Sequence, residues 1–353
     1  MKIIPHNQPT LGKEEIEAVR KVLESNWLIG REEVKKLENS VKKSVNRNYA
    51  IATNSGTSAL HLSLLVLGVK AKDEILLPTF TVSDILNAIY YVGARPILVD
   101  IEKNGFNLDI AKVKGKLNGK TKAILIPHAF GFPAKIDQLK KYKIPIIEDC
   151  AQALGSFYKG KPVGSFGDLS IFSFYATKMI TSGQGGMVVT NNKEYYDTMK
   201  DLIDYNGRDN YKVRYNYPMT DIAASIVNVQ FGKLRSFIEK RKYIASKYNK
   251  ILENKKILFW PKREDAHINH FRFIIKFDSR VTRDKIKEKL ARYGITTIIP
   301  IANYELLHNL LKQDRKYFQN AEKLANTTLS LPIFPNLSDV EIARIVEKLN
   351  KVL

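Results

Sequence analysis

The run Ile171-Phe-Ser-Phe-Tyr-Ala-Thr-Lys178-Met-Ile-Thr-Ser-Gly183-Gln-Gly185-Gly186 sets a lysine between an apolar strand and three glycines. Glycines there permit positive φ and close approach of the backbone to a ligand. A lysine held in such a half-enclosed turn sheds its proton readily and becomes a nucleophile toward an aldehyde. Taken by itself, the run reads better as a surface lysine in a hairpin turn. The segments upstream decide between the two.

One of them is Ile146-Ile-Glu-Asp149-Cys-Ala-Gln152-Ala-Leu-Gly155. A carboxylate at the C-terminal end of a buried parallel strand lies where α/β folds place ligand groups. Beside a pyridine nitrogen, Asp149 would keep that nitrogen protonated and the ring an electron sink. Alone, such a residue reads as a helix cap or an ion-pair partner. The other is Thr53-Asn-Ser-Gly56-Thr57-Ser58. Glycine and hydroxyl residues opening a helix make a phosphate site, because free N–H groups and the helix dipole converge there; alone, they read as an ordinary cap. Together the three segments supply a phosphate anchor, a ring-nitrogen partner and an aldehyde-binding lysine.

The intervening sequence supplies a matching frame. Residues 13–25, 32–45 and 58–67 carry helical periodicity. After them, strands at 74–77, 95–99, 121–127 and 145–149 alternate with helices at 83–92, 108–117 and 136–143. That alternation predicts a mostly parallel sheet with helices on both faces. Residues 169–174 and 186–190 read as consecutive strands around the glycine-rich turn. Residues 193–205 and 220–250 read as helical, and 206–219 is polar and aromatic with no clear period. A strand at 271–277 and helices at 282–293 and 340–353 complete the chain. A boundary is placed near residue 235, giving a large domain over 13–235 and a smaller α/β domain over 236–353, with residues 1–12 packing on the latter.

Composition narrows the function. The single cysteine, Cys150, excludes an intrachain disulfide and suits a reducing cytosol; it reads as a small buried packing residue. The longest apolar runs are too short to span a bilayer, and Met1-Lys2-Ile3-Ile4-Pro5 lacks the apolar region of a secretory signal. These features predict a cytoplasmic protein with no membrane partner. Fifty-seven Lys and Arg against 36 Asp and Glu give a net charge of +21. The basic residues are interspersed with acidic and apolar ones and form no basic tail, so a lysine-rich solvated surface, or a field that draws in an anionic small substrate, is preferred to a nucleic-acid partner.

At Asn54-Ser-Gly-Thr-Ser-Ala-Leu60, Pro78-Thr-Phe80, Glu148-Asp-Cys-Ala-Gln152, Ser173-Phe-Tyr-Ala-Thr-Lys178, Gly183-Gln-Gly-Gly-Met187 and Tyr215-Asn-Tyr-Pro-Met-Thr-Asp221, the chain resembles the sugar aminotransferases of PLP fold type I, the DegT/DnrJ/StrS family of the aspartate aminotransferase superfamily. The resemblance runs from Pro9-Thr-Leu-Gly12 to Leu331-Pro-Ile-Phe-Pro335. It implies pyridoxal 5′-phosphate as cofactor, no metal, and amino transfer to a nucleotide-linked ketosugar, with L-glutamate as donor. It implies that Lys178 forms the Schiff base and then moves the proton, and that Asp149 pairs with the pyridine nitrogen. Gln152 would contact the ring near its phenolic oxygen, and Phe80 would cover a ring face, although core packing explains Phe80 as simply. Gly56, Thr57 and Ser173 match phosphate contacts. Asn216 matches an asparagine reaching the neighbouring subunit's cofactor, which implies a homodimer with shared active sites.

For substrate, the resemblance points to Trp27, Leu28, Ile29 and Gly30, to His6 or Asn7, and to the segment around Pro300. There the chain departs from the family: Pro218 and Ala223 replace an arginine and a glutamine of many relatives, and Thr297–Asn303 replaces a His-Tyr-x-Pro-type segment. These departures leave sugar identity open. Family members that dehydrate sugars characteristically carry histidine in place of the lysine, so Lys178 argues for transamination; a non-catalytic PLP-binding regulator is disfavoured by the full set of catalytic residues.

Overall fold

The computed structural model describes residues 2–255 and 263–353. Helices α1 (Lys13–Ser25) and α2 (Glu32–Ser44) lead into strand β1 (Tyr49–Thr53) and helix α3 (Gly56–Val66). Then follow β2 (Glu74–Pro78), α4 (Asp84–Tyr91), β3 (Arg95–Val99), α5 (Ile110–Val113), β4 (Thr121–Pro127) and β5 (Ile146–Asp149). The short strands β6 (Phe157–Tyr158) and β7 (Lys161–Pro162) precede β8 (Leu169–Ser173), β9 (Gly186–Thr190) and α6 (Lys193–Ile203). The long helix α7 (Asp221–Asn254) is followed by β10 (Ala266–His267), β11 (Phe273–Lys276), α8 (Arg280–Arg292), α9 (Leu307–Leu310), α10 (Gln319–Thr327), β12 (Thr328–Leu331) and α11 (Asp339–Val352).

Seven strands form the main sheet in the order β1-β9-β8-β5-β4-β2-β3. The neighbours from β8 through β3 are parallel, while β9 runs antiparallel to both β8 and β1. Alternate residues of the strands therefore go to opposite faces. Ile75, Leu77, Leu98, Leu125 and Ile147 pack with Leu60, Leu64, Ile85 and Ile89 of α3 and α4. On the other face Leu76, Val99, Ile124 and Ile146 meet Leu108, Ile136 and Leu139. Each such fully buried aliphatic side chain contributes roughly 1.5–3 kcal/mol. The runs lack polar alternation because both faces are covered.

This topology fixes where a ligand sits. The parallel strands deliver their C-terminal ends to one edge, so Pro78, Pro127, Asp149 and Ser173 all point the chain the same way. Antiparallel β9 begins at that edge, with Gly186 level with both Thr53 and Ser173. Glycine is required at 186, since a Cβ there would meet the Gly56 amide at 2.6 Å.

A second apolar cluster gathers Tyr248 and Leu252 of α7 with Ile275, Leu290, Leu329, Ile345 and Leu349, around the antiparallel pair β11–β12. Ile4 belongs to it, and its backbone bonds to Gly294 and Thr296. Helix α7 runs continuously through residue 235; its Ala224 and Val227 pack with Val34, Leu37 and Val41 of α2, and its Ile244, Tyr248 and Leu252 join the cluster around β11–β12.

Four elements differ from expectation. Only Ile110–Val113 of the 108–117 helix is α-helical, because the Asp109 carboxylate caps at Ala111 and the chain tightens into a 3-10 turn at Lys114–Lys116. Ile136–Tyr142 is 3-10 throughout; its buried residues, Ile136 and Leu139, lie three apart, the spacing that eclipses in that helix. Strand β12 and helix α10 were not anticipated, as β12 is short and pairs with β11 far back in the chain, with a further bridge from Ser330 to Ile298. No helix among the described residues is long and apolar enough to cross a membrane.

Candidate active site

The loop between β8 and β9 presents Lys178. Phe174 N–H donates to Gly185 O at 2.8 Å, Ala176 N–H to Gly183 O at 3.1 Å, and Ser182 N–H to Phe174 O at 3.1 Å. The lysine lies at a narrow cavity lined also by Asn7, Thr10, Met179, Gln230 and Arg241. Its ammonium stands 5.9 Å from the centroid of the Phe271 ring. Burial lowers its pKa; the Asp149 carboxylate opposes this and the Arg272 cation adds to it. The lysine is thereby brought toward the neutral amine a nucleophile or proton acceptor needs.

Asp149 ends β5 with one hydrogen bond, from Ala151 N–H to Oδ1 at 2.9 Å; Oδ2 accepts none among the described residues. Burial pushes its pKa up, against the Ala151 amide and the Lys178 charge. Gln152 follows. Its Oε1 accepts from Phe130 N–H at 2.7 Å, which fixes the amide's orientation and leaves the NH2 group, unbonded among the described residues, as the donor end.

Helix α3 opens with Ser55 as cap, its Oγ accepting from Ser58 N–H at 3.0 Å. The amides of Gly56 and Thr57 are the first two of the helix and have no intrahelical acceptor. Ser173 lies so close that a Cβ on Gly56 would meet its Cβ at 3.0 Å. Two free amides, a helix N-terminus and a serine hydroxyl thus converge, a ready anion site.

Not every anticipated residue joins this group. Phe80 is fully buried, edge-on to Phe130 with centroids 6.0 Å apart and stacked with Phe106 at 6.4 Å. Asn7 does approach, its Nδ2 donating to Thr177 O at 3.0 Å beside the lysine. His6 bonds to Ser330 Oγ at 2.9 Å, and burial, with the Arg272 and Arg241 charges, lowers its pKa to about 3. Asn216 is exposed, and among the described residues only its carbonyl is engaged, by Asn54 Nδ2 at 3.0 Å. Trp27, Leu28 and Ile29 are exposed beside the start of α7, where Leu28 O accepts from Asp221 N–H at 2.9 Å. Neither they nor Gly30 line the Lys178 cavity. Pro300 is buried.

Two features escaped the sequence reading. Phe130 holds φ at 57° although bulky and buried, a conformation that marks a constrained site. Arg272, which precedes β11, carries its guanidinium 5.4 Å from the Phe271 centroid. An arginine inside an otherwise apolar run, Phe271-Arg-Phe-Ile-Ile275, was the available signal.

His128, Glu148 and Cys150 also bring potential ligand atoms within 4.8 Å of one another. Their capacity is already spent. His128 donates from Nε2 to Glu148 at 2.9 Å and accepts Ala134 N–H on Nδ1 at 2.8 Å. Glu148 receives further bonds from the amides of Gly164, Phe166 and Gly167 and from the Ser170 hydroxyl. Burial pushes the Cys150 thiol up, keeping it protonated.

The Lys178 and Asp149 pair, the free end of Gln152 and the amides of Gly56 and Thr57 fit pyridoxal phosphate: an amine for its aldehyde, a carboxylate oxygen for its ring nitrogen, a donor for its phenolic oxygen and an anion site for its phosphate. Comparison with known proteins agrees. Residues 9–350 match the DegT/DnrJ/EryC1/StrS aminotransferase family. The GDP-perosamine synthase of Escherichia coli O157:H7 is 36% identical over 368 aligned residues, covering 99% of both chains. A Streptococcus pneumoniae protein described as a sugar aminotransferase, solved in its PLP form, superposes with a TM-score of 0.92 at 29% identity, over 99% of this chain and 98% of that one. Helicobacter pylori PseC, an aminotransferase involved in pseudoaminic acid biosynthesis, superposes with a TM-score of 0.90 at 26% identity over 99% of each. The chain belongs to the DegT/DnrJ/EryC1/StrS aminotransferase family and is a PLP-dependent aminotransferase.

Proposed function

We propose that the enzyme transfers an amino group from L-glutamate to a nucleotide-linked ketosugar, in amino-deoxysugar synthesis for a surface polysaccharide or glycan. The observation carrying the catalytic part is the placement of Lys178 and Asp149 at one enclosed sheet edge, each shifted toward its neutral form by burial. When bound, pyridoxal phosphate supplies an electron sink for the charge left when a substrate carbon loses its proton. Lys178 takes that proton from the donor's Cα and later returns one to the sugar carbon. Asp149 holds a proton on the ring nitrogen, Gln152 donates to the phenolic oxygen, and Gly56, Thr57 and Ser173 grip the phosphate. Phe80, packed on Phe106 and Phe130, backs the aromatic side of the site from behind.

The sugar is assigned from the names of the relatives, and the net charge of +21 suits an anionic nucleotide diphosphate. The substrate side comprises Asn7, Trp27, Leu28, Ile29, Gly30 and Pro300. Asn216 serves the active site of the neighbouring subunit in a cytoplasmic homodimer; its exposed side chain leaves it available for that role. The chain divides near residue 235 in this reading, which is supported by the cluster around β11–β12, whose members apart from Ile4 all lie beyond that residue.

The test is to incubate protein loaded with pyridoxal phosphate and L-glutamate with a panel of nucleotide-linked 3-keto and 4-keto deoxysugars, read by mass spectrometry. One member should become its amine with matching 2-oxoglutarate release. A deoxygenated product carrying no amine would sink the proposal.

A further inference from the structure

Arg272 stands between two buried phenylalanines, Phe271 and Phe273. Its guanidinium lies 5.4 Å from the Phe271 centroid and 5.9 Å from the Phe130 centroid. The Lys178 ammonium lies 5.9 Å from the same Phe271 ring, so one ring carries both cations. Among the described residues, Arg272 has no ion pair and no side-chain hydrogen bond, and its Nε is fully enclosed without a partner. Arg272 is half-buried, and a guanidinium with an enclosed, unpartnered Nε is costly; it persists where a ligand completes it.

The neighbouring groups do not pair with the Arg272 side chain. Burial lowers the Arg272 pKa to about 10, so it stays charged at neutral pH; the nearest opposing influence is Glu305. Glu305 is exposed and forms no ion pair with it, and its Oε2 is occupied by Ala302 N–H at 2.7 Å. Arg241 spends one nitrogen on the carbonyls of Phe271 and Ile333, at 3.2 and 2.7 Å. His6 is neutral above about pH 3. Phe130, under Arg272, is held in its left-handed conformation while its amide bonds Gln152, which ties the arginine's floor to the cofactor side.

We propose that Arg272 is the receptor for the α-carboxylate of the amino donor. The carbon whose proton Lys178 removes bears that carboxylate directly, so a fork of N–H donors sharing a ring with Lys178 meets it. In a nucleotide-linked sugar, by contrast, the phosphates are separated from the reacting carbon by the sugar ring. Guanidinium geometry matches a carboxylate with two parallel bonds. The inference rests on the amino-donor reading above and adds the residue that recognises the donor.

The test compares wild type with Arg272→Gln and Arg272→Lys in PLP-loaded full-length enzyme, using L-glutamate, L-glutamine, L-aspartate and L-alanine as donors. Which amino acid reacts decides the donor; how the variants treat whichever reacts decides Arg272. Arg272→Gln should raise the donor KM by roughly 30- to 100-fold, the loss expected for a charge-assisted pair, while the ketosugar KM moves by less than about threefold. Arg272→Lys, keeping charge but not the fork, should fall between. Binding of α-methyl-L-glutamate, which has the carboxylate but no Cα proton, should weaken in the same order by spectroscopic titration. A donor KM that stays at the wild-type value, or rises in step with the sugar KM, overturns the assignment.

Discussion

Glu148 and Asp149 adjoin at the end of β5, and strand alternation sends them into different surroundings. Both are buried. Glu148 collects donors from His128, Gly164, Phe166, Gly167 and Ser170, while Arg47 holds the same loop through Gly164 O at 2.8 Å and Gly167 O at 2.6 Å. Burial would raise the Glu148 pKa, but the His128 bond and the loop amides prevail and hold it at about 2. Asp149 has one amide, and burial wins. The same carboxylate chemistry thus becomes scaffold where its bonding is completed and reactive machinery where an oxygen is left for a ligand.

The largest effect should come from the open side. Lys178→Ala should lower turnover by at least about 10⁴-fold, because proton transfer alone is worth up to that factor, and should abolish the absorbance of lysine-bound cofactor. Turnover near the wild-type level would show that another amine does the work, and the contrast between the two sides of β5 would lose its meaning.

Next comes a double dissociation. Asp149→Asn should cut turnover by ~10²–10³-fold while leaving thermal stability near wild type, since a poorly compensated buried charge is removed. Glu148→Gln should do the reverse. Its NH2 would face N–H and O–H donors, costing about 3 kcal/mol of stability by denaturant unfolding, with activity of the folded enzyme far less affected. The pH dependence follows from the depressed folded pKa of Glu148. Its contribution is fully present above the unfolded value of about 4.3 and disappears as pH falls through about 2, because the unfolded chain takes up the proton first. Glu148→Gln should flatten that part of the acid unfolding curve. Equal stability losses in the two variants would refute the division of labour.

How much of this was readable depends on how far apart the deciding contacts lie. The alternation from residue 49 to 149 is legible because apolar runs such as Ile75-Leu-Leu77 and Ala123-Ile-Leu-Ile126 are bounded by turn residues, and the parallel order follows from the helices between them. Gly56, Asp149, Ser173 and Lys178 are legible as candidates because each sits where a strand or loop meets the sheet edge. Arg272 is not: a charge in a strand reads as facing water. Its enclosure depends on Phe130, well over a hundred residues upstream and held by Gln152. Glu148 is equally silent, since its donors at 164–167 come from a loop whose path no periodicity announces.

Trp27 offers a third environment, where water compensates everything and no buried charge exists. It is 57% exposed, with the Arg31 guanidinium 3.6 Å from its ring centroid. Cation–π stacking gives the flat ring a positive backing, suited to a base or sugar that carries phosphates. The fold gains little from it: Trp27→Ala should change stability by less than about 0.5 kcal/mol. On the proposed substrate role, the sugar KM should rise about three- to tenfold, in line with one aromatic contact, while kcat and the donor KM hold. Should the donor KM move instead, Trp27 would belong to the Arg272 side of the site; should neither move, the ring is only surface. Either result would confine sugar recognition to Asn7 and the segment around Pro300.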